Sequence, residues 1–202
     1  MWRWIGVILI GYVLGSIPFG VLIARWVRGI DVRAIGSGRT GGTNVLRAAG
    51  WQAGLLTAIV DTLKAAAAVW VARWIGATGL VLVLVGMAAV VGHNYSLFLG
   101  FRGGAGTMAS IGAAMALWPW NVLILALTGL GVVLTTRRAS LGSIVVACLL
   151  PILFIVRALL GASPWEYVVY GVLASALTLW ALRANIKRLL RGEERQISFS
   201  KS

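Results

Sequence analysis

The chain has 202 residues, of which 60% are hydrophobic and 11% are charged, and its formal net charge at pH 7 is +13. Soluble domains carry roughly 45–50% apolar and about 25% charged residues, so this composition excludes an ordinary soluble protein and indicates an integral membrane protein. Such a charge would suggest nucleic-acid binding in a soluble protein. Because the cytoplasmic loops of membrane proteins collect Lys and Arg, we expect no nucleic-acid partner here.

Seven apolar segments predict an all-α integral membrane protein with seven transmembrane helices. They cover residues 4–26, 52–74, 77–92, 106–117, 119–135, 142–158 and 165–182. A helix needs about 20 apolar residues to cross a hydrocarbon core of roughly 30 Å. The fourth and fifth segments are short and are separated by WPWN at 118–121, so they are either tilted spans or a re-entrant pair in a five-span protein. We interpret residues 1–202 as a single membrane-embedded domain.

Basic residues are divided unequally between the two sides of such a protein. If the chain has seven spans, only three basic residues lie on one side, namely Arg3, Arg73 and Arg157, and Lys64 lies within a span. The other side has fourteen: Arg25, Arg28, Arg33, Arg39, Arg47, Arg102, Arg137, Arg138, Arg183, Lys187, Arg188, Arg191, Arg195 and Lys201. Since cytoplasmic loops are enriched in Lys and Arg, the N-terminus is predicted outside and the C-terminus in the cytoplasm.

The sequence GSGRTGGTNVLRAAG at 36–50 forms a polar loop between the first two spans. Its glycines let the backbone approach a ligand closely, and successive amide groups in such a turn form an anion-binding nest. The start of the helix that follows also favours an anion. The loop adds side-chain donors and cations: Ser37, Arg39, Thr40, Thr43, Asn44 and Arg47. These features predict a phosphate site, although glycine content alone would suit a flexible connector equally well.

A second loop on the same side has a similar composition. GHNYSLFLGFRGGAGT at 92–107 contains His93, Asn94, Arg102 and a run of glycines that includes Gly103 and Gly104. Turns between helices need few special residues, so two glycine-rich, arginine-bearing loops on one side favour phosphate binding over simple connection.

Three ionisable residues lie in or near the spans. Asp61 and Lys64 are three residues apart and share a helix face, so they can pair. Within a span they indicate either a functional site or a neutral pair that locks helices together, and Asp61 is expected to orient Lys64 toward the cytoplasmic site. His93 is either a general base or a structural hydrogen-bonding group. Without a neighbouring Cys or carboxylate in sequence it is a poor metal ligand, so no metal is expected.

The segment RANIKRLLRGEERQ at 183–196 is predicted to continue the last helix into the cytoplasm. Its basic residues would be attracted to anionic lipids, so membrane lipids are expected partners. Asn185 stands out because it is polar and lies just past the membrane edge.

These motifs, in this order, resemble those of the bacterial acyl-phosphate:glycerol-3-phosphate acyltransferases, the PlsY family. The first family motif, G-S-G-N-x-G-A-T-N-x-x-R, is similar to GSGRTGGTNVLR, and D-x-x-K is similar to DTLK. The second, G-H-x-x-x-x-x-x-x-F-K-G-G-K-G, is similar to GHNYSLFLGFRGGAG. The third, H-R-x-N-I-x-R-L-x-x-G-x-E, is similar to LRANIKRLLRGEE, and GSIPFG near the start also matches.

The resemblance implies a seven-helix enzyme of the bacterial inner membrane with its site at the cytoplasmic face. Such an enzyme transfers a fatty acyl group from acyl phosphate to the 1-hydroxyl of glycerol 3-phosphate and releases lysophosphatidic acid and phosphate. It implies no cofactor and no protein base, because the substrate phosphate assists. Contact with other enzymes of phospholipid synthesis is a further expectation. The residues expected to hold substrate are Ser37, Gly38, Arg39, Thr43, Asn44, Arg47, Lys64, His93, Arg102, Gly103, Gly104 and Asn185.

At four positions the chain departs from the family pattern by changing a polar or charged residue. Arg39 replaces an asparagine, Arg102 and Ala105 replace lysines, and Leu182 replaces a histidine. Ala105 removes a cation, which Arg39 is expected to supply instead. The alternative is a non-catalytic relative that binds lipid or phosphate on the same scaffold.

Overall fold

The computed structural model of the chain describes residues 2–197. Within that range it contains ten α-helices, two short 3-10 turns at Val32–Ala34 and Leu97–Leu99, and no β-strand. The helices are α1 (Trp2–Ser16), α2 (Phe19–Arg28), α3 (Gly42–Ala49), α4 (Trp51–Trp74), α5 (Gly79–Asn94), α6 (Thr107–Leu117), α7 (Trp120–Thr136), α8 (Ala139–Leu159) and, at the end, α9 (Glu166–Ala181) and α10 (Arg183–Leu190). Lys201, counted above among the basic residues of one side, lies outside the described range.

All seven apolar segments are helical, but they differ in length. Four stretches are long and apolar enough to cross a membrane: Trp2–Arg28, Trp51–Trp74, Gly79–Leu99 and Ala139–Leu159. The pair α9 and α10 makes a fifth if it is counted as one span. Helices α6 and α7 are shorter, and the 11 residues of α6 extend about 16 Å. The fold is therefore that of an integral membrane protein with four or five spans of full length, and the count of seven stays a prediction.

Two helices that the hydropathy predicted as continuous are broken. The first segment divides into α1 and α2 at Ile17 and Pro18, because proline has no amide hydrogen to donate. The tail does not continue the last span, since α9 and α10 meet at an angle of 63°. The carbonyl of Ala181, at this bend, accepts a hydrogen bond from Arg39. A side chain that takes a helix carbonyl in this way is a common cause of a kink.

Helix α6 is both short and buried. Nine of its 11 residues are buried, and most of them are small, as is usual where helix backbones approach closely in membrane proteins. Gly112 lies directly against the backbone carbonyl of Thr62 in α4, where any side chain would collide. The α6–α7 turn is closed by Asn121, whose Nδ2 donates to the carbonyl of Ala114 over 3.0 Å. Helix α6 thus packs mainly against α4, α5 and α7.

Candidate active site

Two adjoining cavities lie at the end of the protein where the glycine-rich loops meet. The larger has a volume of about 750 Å³ and is lined mainly by apolar side chains of α4, α6, α7 and α8. The smaller has a volume of about 340 Å³ and is lined by the first loop, α10 and residues 193–195. Four residues line both cavities, and all four are predicted site residues: Ser37, Arg39, Arg47 and Asn185.

The first loop is ordered around the side chain of Asn44. This residue is buried, and its Nδ2 lies 2.9–3.0 Å from the carbonyls of Val32, Ile35 and Arg39. Its Oδ1 accepts from the amide of Ser37 over 3.3 Å. Gly36 has a φ of +60° and packs against this Oδ1, so a side chain there would be both strained and obstructed. Asn44 therefore shapes the loop, and the flexible-connector interpretation does not fit.

Arg39 crosses from the first loop to the second loop and to the bend after α9. Its Nη1 donates to the carbonyl of Gly104 over 2.8 Å, and its Nη2 donates to the carbonyl of Ala181. Desolvation lowers the pKa of the Arg39 guanidinium, and the nearby charges of Arg183 and Arg188 lower it further. An anion bound beside Arg39 would offset this crowding of positive charge.

Arg47, in α3, extends from the first loop toward the end of the described chain. Its Nη2 donates to the carbonyl of Arg195 over 3.2 Å. Desolvation lowers the pKa of Arg47, and Arg195 and Arg188 lower it too, whereas Glu194 opposes them. The smaller cavity is therefore surrounded by guanidinium groups that compete for few carboxylates, which is the environment of an anion site.

The second loop is held in place by a buried chain of side chains. Asp61 Oδ1 lies 2.8 Å from Lys64 Nζ and 3.5 Å from His93 Nδ1. The opposite edge of the His93 ring packs against Gly104, where an added methyl group would collide with Nε2. Nδ1 thus faces Asp61 and the Nε2 edge of the ring lies against Gly104, while the residue also lines the larger cavity.

Lys64 pairs with Asp61 as the sequence predicted, but it does not turn toward the site. Its Nζ donates to the carbonyl of Ile17 over 2.7 Å, at the point where Pro18 interrupts the first span. Lys64 therefore neutralises Asp61 and satisfies a carbonyl that the broken helix leaves free. The expectation that Asp61 orients Lys64 toward the cytoplasmic site is wrong, and the pair locks α4 to the α1–α2 break instead.

The predicted site residues divide into two groups. Seven of them line at least one cavity: Ser37, Arg39, Thr43, Asn44, Arg47, His93 and Asn185. Within residues 2–197, five line neither cavity: Gly38, Lys64, Arg102, Gly103 and Gly104. Of these, Arg102 is exposed, whereas Gly103 and Gly104 lie against the backbone and ring of His93.

Sequence reasoning missed Ser140, Glu194 and Thr107. Ser140, at the start of α8, accepts from Asn185 Nδ2 over 2.9 Å, and its amide donates to Glu194 Oε1 over 3.0 Å. Thr107, at the start of α6, lines the larger cavity, and its Oγ1 is buried without a hydrogen-bond partner in the described part of the chain. The sequence signal that indicates Ser140 and Thr107 is a hydroxyl residue at the first turn of an apolar helix. For α8 this signal was lost because hydropathy placed the start of the helix beyond Ser140.

The larger cavity is a groove with a polar mouth and an apolar far end. Its mouth contains the residues shared with the smaller cavity, and its far end contains Met115 and Val122, near the α6–α7 turn. From Val133 to Val122 the α7 wall extends about 16 Å. Among residues 2–197, no group of three or more His, Cys, Asp and Glu side chains could hold a metal ion.

The geometry agrees with what the chain is similar to. The family model described as glycerol-3-phosphate acyltransferase matches residues 5–192. The chain belongs to the glycerol-3-phosphate acyltransferase family. Two relatives of that name come from Syntrophomonas wolfei, at 44% identity over 93% of each chain, and from Rubrobacter xylanophilus, at 45% identity over 94% of this chain and 92% of the relative.

Solved structures of the family have the same fold. Two crystal structures of PlsY (YgiH), an integral membrane glycerol 3-phosphate acyltransferase, match at 34% identity over 97% of this chain and 96% of theirs. The glycerol 3-phosphate form has a TM-score of 0.88 and the lysophosphatidic acid form a TM-score of 0.87. The family is one of acyl-transferring enzymes of phospholipid biosynthesis, and these similarities favour catalysis over the non-catalytic alternative.

Proposed function

We propose that the protein transfers a fatty acyl group from acyl phosphate to the 1-hydroxyl of glycerol 3-phosphate, giving lysophosphatidic acid and inorganic phosphate. The observation that carries this proposal is the junction of the two cavities, where a cationic cavity and an apolar groove share Ser37, Arg39, Arg47 and Asn185. One substrate is a small phosphate ester and the other has a phosphate and a long hydrocarbon chain. A cationic cavity that opens into an apolar groove accommodates both.

In the proposed reaction the glycerol 3-phosphate occupies the smaller cavity and the acyl chain occupies the groove. The 1-hydroxyl oxygen attacks the acyl carbonyl carbon, a new ester C–O bond forms, and the bond from that carbon to the phosphate oxygen breaks. The hydroxyl proton passes to a phosphate oxygen, which is the base that the family resemblance implies. Holding both reactants at one junction makes the transfer effectively unimolecular.

Different predicted residues serve this reaction in different ways. We assign phosphate contact to Ser37, Thr43, Arg47 and Asn185, which line the cavities. Asn44, His93, Gly103, Gly104 and Lys64 are assigned a positioning role, since their contacts are to the protein. Arg39 has both roles, and the exposed Arg102 is assigned to attracting anionic substrates toward the mouth.

The proposal includes an orientation in the membrane. We propose one acyltransferase domain in the bacterial inner membrane, with seven helical segments that cross or enter the bilayer, the N-terminus outside and the C-terminus in the cytoplasm. The support is the distribution of fourteen basic residues against three between the two sides. The site then faces the cytoplasm. Other enzymes of phospholipid synthesis are proposed as neighbours.

The test is an assay of the purified protein with both substrates. Acyl phosphate and glycerol 3-phosphate should give phosphate and lysophosphatidic acid in equal amounts over time. Omission of glycerol 3-phosphate controls for simple hydrolysis, in which phosphate appears without the lipid product. Binding of both substrates with no product would support the non-catalytic alternative and refute the proposed activity.

A further inference from the structure

Helix α10 presents three different faces. Successive residues of a helix are rotated by about 100°, so its eight residues and Arg191 fall into three groups. The first group lines the smaller cavity and consists of Ala184, Asn185 and Arg188. The second is apolar and consists of Ile186, Leu189 and Leu190. The third is cationic and consists of Arg183, Lys187 and Arg191. The apolar and cationic faces adjoin, and their residues do not line the smaller cavity.

The surroundings of α10 place its apolar and cationic faces where a membrane surface would be. Helix α10 turns 63° away from α9, so if α9 crosses the bilayer, α10 lies near the plane of its surface. Trp180, at the end of α9, is 60% exposed, and the guanidinium of Arg183 lies 4.6 Å from its ring centroid. Trp side chains anchor helices at headgroup depth. Leu190 is 82% exposed, and an exposed Leu beside cations is typical of an interfacial amphipathic helix.

Helix α10 has few protein contacts to hold it in position. None of its eight residues is buried. Its link to the core includes the hydrogen bond from Asn185 Nδ2 to Ser140 Oγ. Elements with few buried contacts open at low free-energy cost, so an additional partner on the outer faces would strongly affect where Asn185 and Arg188 lie.

We propose that the cationic face of α10 binds anionic lipid headgroups, and that this contact holds Asn185 and Arg188 at the smaller cavity. The lipid surface would thereby regulate the site, and this inference rests on the proposed function for its kinetic consequence. An acidic protein would also suit the three cations. The adjoining apolar face and the exposed Trp180 favour a bilayer, because only a bilayer supplies hydrocarbon beside its anionic groups.

The test compares two double variants in nanodiscs of phosphatidylcholine alone or mixed with phosphatidylglycerol. Lys187→Gln/Arg191→Gln removes two cations from α10, and the matched control Arg25→Gln/Arg28→Gln removes two from the last turn of α2. Each cation near an anionic surface strengthens attraction roughly fivefold. Phosphatidylglycerol should lower the KM for glycerol 3-phosphate at least about twofold in the native chain and the control, through the placement of α10. Phosphatidylglycerol should not change the KM of the α10 variant for glycerol 3-phosphate.

Amide hydrogen exchange of residues 183–191 gives a readout that does not need turnover. Phosphatidylglycerol should slow this exchange in the native chain and the control but not in the α10 variant. Equal responses in both double variants would overturn the proposal. So would protection of α10 in phosphatidylcholine discs by soluble polyglutamate, which would indicate an acidic protein partner. Protection by inorganic phosphate that the α10 variant loses would also overturn it, whereas phosphate in the smaller cavity would protect all three chains. If exchange responds to the lipid but no acyl transfer occurs, the proposed function fails and the lipid contact stands.

Discussion

Arg39 is the residue at which this chain departs most informatively from the family pattern. Its guanidinium connects the first loop to the carbonyl of Gly104, next to Ala105, and to the carbonyl of Ala181 at the α9–α10 bend. The structure therefore places a cation from one loop beside the position where the other loop has lost one. Arg39 is therefore in position to replace the missing lysine charge at residue 105, which matters because an unpaired phosphate in a partly desolvated site is strongly penalised.

Substitutions at positions 39 and 105 test whether Arg39 compensates for the missing lysine. Arg39→Asn should abolish acyl transfer, and addition of Ala105→Lys to that variant should restore much of it. The two changes should be non-additive because they share one partner, the substrate phosphate. The measurement is kcat/KM for glycerol 3-phosphate in the two single variants and the double variant. Compensation would be wrong if Arg39→Asn had no effect and Ala105→Lys alone raised activity.

Arg47 is the clearest candidate for direct phosphate contact. Arg47→Ala removes a charge-assisted hydrogen bond worth about 1.5–3 kcal/mol, so the affinity for glycerol 3-phosphate should fall roughly 10- to 100-fold. Equilibrium binding to the purified variant measures this, with Arg28→Ala as a control that removes an exposed cation outside the cavities. An unchanged affinity in Arg47→Ala would remove Arg47 from the site.

At the scale of elements, the second loop depends on its contact with α4 through His93. Gly104→Ala places a methyl group against the His93 ring, and such overpacking costs about 1–3 kcal/mol. We expect a clear drop in the thermal unfolding midpoint. His93→Gly removes the ring, so Gly104→Ala should cost little more in that background. Equal costs of Gly104→Ala in both backgrounds would contradict the contact.

The groove formed by α4, α6, α7 and α8 makes a separate prediction about the acyl chain. Ala126→Phe fills the groove from the α7 wall, and the KM for a long-chain acyl phosphate should rise roughly tenfold. A short-chain acyl phosphate should be affected little, because it does not extend so far. Leu127→Phe is the matched control, since Leu127 is 64% exposed and points away from the groove. Equal effects of the two substitutions would argue that the chain lies elsewhere.

At the scale of the whole molecule, the distribution of charge predicts the orientation. A reporter fused after Ser202 should report the cytoplasm, and a reporter at the N-terminus should report the outside, because the basic loops stay in the cytoplasm. Neutral substitutions of Arg3 and Arg73 should leave both results unchanged. Finding both termini on the same side would refute the seven-span arrangement.

Much of this architecture could be predicted from the sequence because the bilayer constrains it. A chain in hydrocarbon must satisfy its own backbone hydrogen bonds, so apolar segments become helices, and the helical segments lie within a few residues of the hydropathy boundaries. The glycine and arginine motifs likewise indicated which loops meet. Composition and motif order were sufficient for these conclusions, since each depends on the preference of local residues for lipid, water or phosphate.

Packing between distant residues could not be predicted from such local preferences. Asn44 is of a residue type that can bind phosphate, yet its side-chain amide holds the first loop in shape. Lys64 turns to the carbonyl of Ile17, and Arg39 takes a carbonyl 142 residues away at a bend that hydropathy did not indicate. A hydrogen-bonding side chain binds whichever unpaired group the folded chain brings within about 3 Å, and that distance is set by helix packing, which no local pattern encodes.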